Sequence, residues 1–198
     1  MSNLNWRNAR YWEFVTQVIR KKSFKEIGKK TVVFKPMRLD FTSSIVLGSN
    51  VFIAEGAWLM GKKGVDTTLR IEDETVIGNH SHIIAVNNVI IEDHVLIADK
   101  VFITDCTHEY EDITNPIIDQ RVLHIGHVTI GKGSWLGENV CIIGASVGKH
   151  SVIGANSVVT KNIPDYCVAC GNPAKIIKMY NLETKRWERI INKEVDYE

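Results

Sequence analysis

The chain has 198 residues, 44% of them hydrophobic and 24% charged, with a net charge of +1; that balance describes a folded domain with its own core and excludes a disordered or low-complexity chain. No apolar run approaches the roughly 20 residues that cross a bilayer, and the first residues lack the order of an export signal, their apolar stretches being broken by Arg7, Arg10 and Glu13. These exclusions predict a cytoplasmic protein, in which Cys106, Cys141, Cys167 and Cys170 read as free thiols.

Residues 1–38 read as a basic helical segment. Within residues 1–40, ten Lys/Arg stand against three Asp/Glu, so +7; the remainder holds 14 against 20, so −6, and the two sum to +1. Over residues 6–22, Trp12, Val15, Val18 and Ile19 recur at helical spacing, which predicts an amphipathic helix capping whatever follows. Its cations suit a solvated face, or contact with a membrane surface or polyanion.

From residue 39 the dominant signal is a period of six. Apolar residues fall at Phe41, Leu47, Ile53, Leu59, Val65, Ile71, Ile77 and Ile83, then at Ile91, Ile97 and Ile103 after a slip of two. The series resumes at Ile130, Leu136 and Ile142, and after a shortfall of one at Val147, Ile153 and Val159. A second apolar residue two positions upstream, as in Val51/Ile53, Val89/Ile91 and Val140/Ile142, has the period of short strands with one buried face. Gly follows the aliphatic residue at 48, 78, 131, 137, 148 and 154, and Asn recurs at 50, 139 and 156, as tight corners require. A strict hexad cannot be a helix; it predicts an all-β solenoid over residues 39–178, a parallel β-helix of about six coils in which each coil buries its face on the next.

The rhythm stops after Ile103, where ITDCTHEYED begins an extruded loop over residues 104–124. Long loops inside a compact repeat are uncommon and tend to carry function. Of the seven histidines, His80, His82, His94 and His150 fall at corner or strand positions, whereas His108 rides on the departing loop. Histidine is the usual general base near neutral pH, and Asp105 or Glu109 beside it could orient the imidazole. Cys167 and Cys170 form a C-x-x-C, but no second pair completes a zinc site and no metal is expected. Residues 179–198 predict a C-terminal helix, with Leu182, Trp187 and Ile190/Ile191 packing back on the solenoid.

The stretches IGKGSWLGENV and VGKHSVIGANSVVTKNIPDYCVACGNPAKIIK (147–178) resemble the hexapeptide-repeat acyltransferases, and ITDCTHEY resembles their sugar and polysaccharide O-acetyltransferase branch. The resemblance implies a left-handed β-helix, a homotrimer with sites between subunits, and direct transfer from acetyl-CoA. It makes His108 the catalytic base and Asp105 its orienting acid, and sets Trp135 in the active-site lining. It places Ala155, Thr160, Lys161 and Lys178 on the coenzyme, His108 of one chain facing Lys161 of another. Where galactoside-type members grip their sugar this chain has the region of Gly78 and Val86. A cell-surface polysaccharide, a lipopolysaccharide or a precursor is therefore the expected acceptor, with no nucleic-acid partner. An amino-sugar N-acetyltransferase on a nucleotide-linked sugar and a non-catalytic scaffold are the alternatives.

Overall fold

The computed structural model describes residues 6–190, with side chains from Arg10 onward. Short parallel strands stack into three ladders, one on each face of a three-sided prism. The first face carries Glu26–Ile27, Ile45–Leu47, Leu69–Ile71, Val89–Ile91 and Val128–Ile130, continued by single bridges through Val147 and Ile163. The second carries Val32–Val33, Phe52–Ile53, Val76–Ile77, Leu96–Ile97, Trp135–Leu136, Val152–Ile153 and Cys167–Gly171. Arg38–Asp40, Trp58–Met60, His82–Ile84, Phe102–Thr104, Cys141–Ile143 and Val158–Val159 make the third.

Register puts the hexad residues directly on one another: Leu47, Ile71, Ile91 and Ile130 in one column, Ile53, Ile77, Ile97, Leu136 and Ile153 in the next, Leu59, Ile83, Ile103 and Ile142 in the third. All of these are at most 1% exposed. The core is thus a continuous aliphatic column, and each coil contacts only its neighbours.

The prism has about seven turns rather than six, because its first coil starts at Glu26, inside the segment expected to be helical. Two expected rungs are absent from it. Phe41 is 49% exposed, and Val65 lies in an extra turn between Met60 and Leu69. That insertion shifts the chain by a whole hexad, so it leaves the phase of the pattern intact and invisible. The glycines after each aliphatic residue are there for contact rather than for dihedral freedom. A Cβ on Gly78 would lie 2.4 Å from the Ala98 carbonyl carbon, and one on Gly148 would lie 2.3 Å from the Asp165 nitrogen. Between them runs a ladder of buried hydroxyls. Ser134 donates to the Gly148 carbonyl at 2.7 Å and accepts the Ser151 N–H at 3.0 Å; Ser151 donates to the Pro164 carbonyl at 2.9 Å and accepts the Cys167 N–H at 3.0 Å.

Both ends of the prism are covered. Helix α1 (Trp6–Phe14) runs into a wider π-helical turn, Val15–Arg20, over the first coil. At the other end the expected C-terminal helix is not formed. Ala174–Asn181 pairs antiparallel with Cys167–Gly171, and Arg186–Arg189 pairs antiparallel with 178–181. The turn between them is fixed by Asn181, whose side-chain oxygen accepts the Glu183 and Thr184 N–H groups at 2.9 and 3.1 Å. Tyr180 then meets Trp187 edge to face at 5.5 Å. The edge of the second face needs a strand to satisfy its backbone, and that demand overrides helical spacing. Residues 191–198 of the expected helix lie outside the described residues.

Candidate active site

Directly after the third-face strand Phe102–Thr104, the chain leaves the prism at Asp105. Cys106–His108 and Val122–His124 form an antiparallel hairpin, with Cys106 opposite His124, Thr107 opposite Leu123 and His108 opposite Val122. Side chains alternate along a strand and opposite residues share a face. Cys106, His108, Val122 and His124 therefore stand on one face, and Thr107, Glu109, Arg121 and Leu123 on the other. The second face is held by Arg121, which donates to the Glu109 carboxylate at 3.1 and 3.2 Å, while the Glu109 N–H donates to the Arg121 carbonyl at 2.8 Å. This pair holds Glu109 below the ordinary glutamate value and raises Arg121. Glu109 is thereby committed to the hairpin and turned away from His108.

Further out, the Asp112 carboxylate accepts the Thr114 N–H at 2.9 Å, the Thr114 hydroxyl at 2.6 Å and the Asn115 amide at 2.6 Å. The Gln120 amide closes the loop by donating to the Asp112 and Asn115 carbonyls at 2.8 and 2.9 Å. The loop is thus internally organised, yet it presents Ile113 and Ile118 at 95% and 86% exposure.

Asp105 stands differently from the expectation of an acid on His108. Its carboxylate is fully buried and accepts three backbone N–H groups of the adjacent coil: Val86 at 2.8 Å, Asn87 at 2.8 Å and Asn88 at 2.7 Å. Its carbonyl accepts the Ile125 N–H at 2.9 Å, pinning the returning chain. Asp105 is the root of the hairpin, while the His108 imidazole stands exposed two strand positions beyond Cys106. The Cys106 thiol is pushed up chiefly by burial, against a hydrogen bond to Thr104, a poor setting for a thiolate nucleophile.

The other expected site residues fall in two groups. Thr160 and Lys161 are exposed on the same edge as the hairpin, where the third face turns into the first. They lie two coils further on, about 10 Å at the usual strand spacing. Trp135 (48% exposed), outward on the second face between Leu96 and Val152, belongs to the second group. Ala155 is exposed at the edge between second and third faces, stacked against Gly137. Lys178 lies on the C-terminal hairpin opposite Val168 and Arg189. One chain brings His108 and Lys161 to a common edge and leaves Trp135, Ala155 and Lys178 around the corner.

Two residues at the root of the hairpin escaped the sequence reading. Asn87, on the turn braced by Asp105, sits with its amide nitrogen 3.2 Å from His124 Nε2, and the His124 and His127 rings lie 5.1 Å apart. The available signal was the symmetry of Cys-Thr-His and Val-Leu-His at the two ends of the loop, which is that of paired strands. Elsewhere, a shallow depression lined by Arg70, Glu92, Asp93, His94, Lys132 and Lys149 is neutralised internally, Lys132 meeting Asp93 at 2.7 Å. Among the described residues no three His, Cys, Asp or Glu groups converge as a metal site.

Comparison with known proteins agrees with this architecture. The family described as "Hexapeptide repeat of succinyl-transferase" matches residues 127–161. An Escherichia coli K12 protein, provisionally named as a lipopolysaccharide biosynthesis O-acetyl transferase, is 44% identical over 124 residues, covering 59% of this chain and 63% of that protein. A Mycobacterium tuberculosis protein, provisionally named as an acetyltransferase, is 31% identical over 189 residues, covering 92% of this chain and 60% of its own length. Residues 127–161 carry the hexapeptide repeat, and the chain is similar over most of its length to proteins named as acetyltransferases. It spans about three-fifths of the length of these two curated relatives. Among solved structures, the N-acyltransferase AntD from Bacillus cereus, in complex with dTDP and 3-hydroxybutyryl-CoA, superposes with a TM-score of 0.71 at 20% identity over 85% of this chain and 89% of that one. At that identity the likeness establishes the fold alone. Within that fold, the organised hairpin carrying His108 is the feature that departs most from the plain stacked coils.

Proposed function

We propose that this chain transfers the acetyl group of acetyl-CoA to a sugar hydroxyl, on a cell-surface polysaccharide, a lipopolysaccharide or its precursor. The observation that carries the reading is the exposed imidazole of His108 on a hairpin rooted by Asp105 in a rigid coil. A general base must be held within hydrogen-bond reach of the hydroxyl it deprotonates, and a braced hairpin can hold it so. In this reading the His108 imidazole takes the hydroxyl proton as the oxygen attacks the thioester carbonyl. The tetrahedral adduct then collapses, the C–S bond breaks, and the imidazolium returns the proton to the departing thiolate. Trp135 lines the active site, Ala155, Thr160, Lys161 and Lys178 bind the coenzyme, and Asp105 positions His108 through the backbone rather than through a direct bond.

The same reading makes the protein a homotrimer. His108 and Ala155 occupy different edges of one prism, so a cyclic arrangement sets the edge of one chain against the face of the next. The exposed isoleucines of the extruded loop give that contact apolar surface to bury.

The test is release of free thiol from acetyl-CoA in the presence of a panel of sugars, nucleotide-linked amino sugars and capsular oligosaccharides. Release is expected with hydroxyl acceptors and should fall by at least about a hundredfold in His108→Ala, as loss of a general base implies. Release only with amino sugars would replace the hydroxyl acceptor by an amine, and release unaffected by the substitution would remove His108 from the chemistry.

A further inference from the structure

The N-terminal cap has two faces, and only one is explained by capping. On the inner face Trp12 packs edge to face on Phe34 at 5.8 Å, with the Arg20 guanidinium 5.2 Å over the Trp12 ring. The Thr16 hydroxyl accepts the Val33 N–H at 3.0 Å, the Gln17 amide donates to the Gly28 and Thr31 carbonyls at 2.8 and 3.2 Å, and Arg20 donates to the Val33 carbonyl at 3.3 Å. These contacts satisfy the open edge of the first coil.

A solenoid cap needs a polar outer face to remain in water. This one instead exposes Tyr11, Phe14, Val18 and Ile19, at 59%, 57%, 57% and 65%. They succeed one another by three, four and one positions, so they form one stripe along the helix. Around it stand the exposed cations Arg10, Lys21 and Lys22, with Lys29 and Lys30 on the adjoining corner of the first coil. The segregation is global, since residues 1–40 hold +7 and the rest of the chain −6. A second copy docking through this face would bring cations against cations. A surface that is apolar within and anionic at its boundary complements both the stripe and its rim.

We propose that the outer face of the N-terminal cap is an interfacial docking surface for anionic lipid bilayers, with Tyr11, Phe14, Val18 and Ile19 entering the headgroup boundary and Arg10, Lys21 and Lys22 meeting lipid phosphates. It holds the acidic body of the prism away from the membrane. The surface is independent of the acyl-transfer reading.

The experiment is sedimentation of the full chain with vesicles of phosphatidylcholine alone or mixed with phosphatidylglycerol, at low and high salt. Binding is expected to the mixed vesicles only and to weaken with salt. It should fall at least about tenfold in Phe14→Ser/Ile19→Ser and in Lys21→Glu/Lys22→Glu, reversal of two cations being ample for that loss. Because these side chains point away from the prism, the melting temperature should not move. No binding to anionic vesicles, equal binding to neutral ones, or variants that bind like the parent would each overturn the proposal. So would a concentration-dependent larger assembly that the apolar variant abolishes, which would give the face to a second copy.

Discussion

Asp105 shows how a residue can be found from sequence for a reason that the structure revises. Its place three residues before His108 suggested an acid acting on the imidazole. The fully buried carboxylate instead receives the N–H groups of Val86, Asn87 and Asn88. A carboxylate in such a triple interaction is strongly committed, and Asp105→Asn would turn an amide NH₂ toward backbone donors. Leaving buried groups unpaired costs about 1–3 kcal/mol, which in a chain of this size lowers the melting temperature by roughly 2–10 °C. The expected outcome in calorimetry is that loss, with activity falling because the hairpin root loosens. If instead the variant melts like the parent while kcat drops, Asp105 acts on His108 directly. Cys106→Ser, by contrast, should retain acetyl transfer, since burial keeps that thiol protonated; loss of activity with an unchanged melting temperature would restore a covalent route.

At the scale of elements, the outer end of the hairpin depends on a charge pair as well as on backbone. Arg121 holds Glu109 below its ordinary value. The contribution of the pair is therefore fully present above the ordinary glutamate range and disappears as pH falls through the lowered value. Protection of the Glu109 amide, which donates to Arg121, should accordingly decrease between pH 6 and pH 3 once intrinsic exchange rates are removed. Arg121→Ala should erase that dependence. Equal pH dependence in both proteins would detach the pair from hairpin order. The core columns of the solenoid were legible because burial imposes the hexad on every coil. The extra turn holding Val65 was hidden because six inserted residues preserve the phase. The C-terminal hairpin was read as a helix because Leu182, Trp187 and Ile190 suggest helical rather than strand spacing, and the unpaired edge left by Cys167–Gly171 overrides that pattern. The hydroxyl ladder of Ser134 and Ser151 was equally silent, since serine at a turn has many reasons to be there. The extruded loop was legible through the break in rhythm, whereas the pairing that sets His124 against Asn87 is signalled only by the likeness of Cys-Thr-His and Val-Leu-His.

For the whole molecule, the distribution of the proposed site argues for assembly of several chains. His108 and Lys161 lie on one edge of the prism, Ala155 on another, and Lys178 on the C-terminal hairpin that extends the second face. No rearrangement of side chains can bring Lys178 to His108 within a chain whose core is a rigid aliphatic column. Neighbouring chains in a ring can. A His108→Ala protein and a Lys178→Glu protein should therefore each be nearly inactive, for different reasons, and each should elute at the size of a trimer. Mixed in equal amounts, dissociated and reassembled, they should recover activity, because some sites will combine an intact histidine from one parent with an intact lysine from the other. Random reassembly makes such sites about one quarter of the total in a closed ring of identical contacts, and the recovered rate should approach that fraction of the parent's. Complementation depends on sites built across subunits. Recovery of no activity from mixed particles of the right size would assign the whole site to a single chain, and a monomer retaining full activity would do the same more directly.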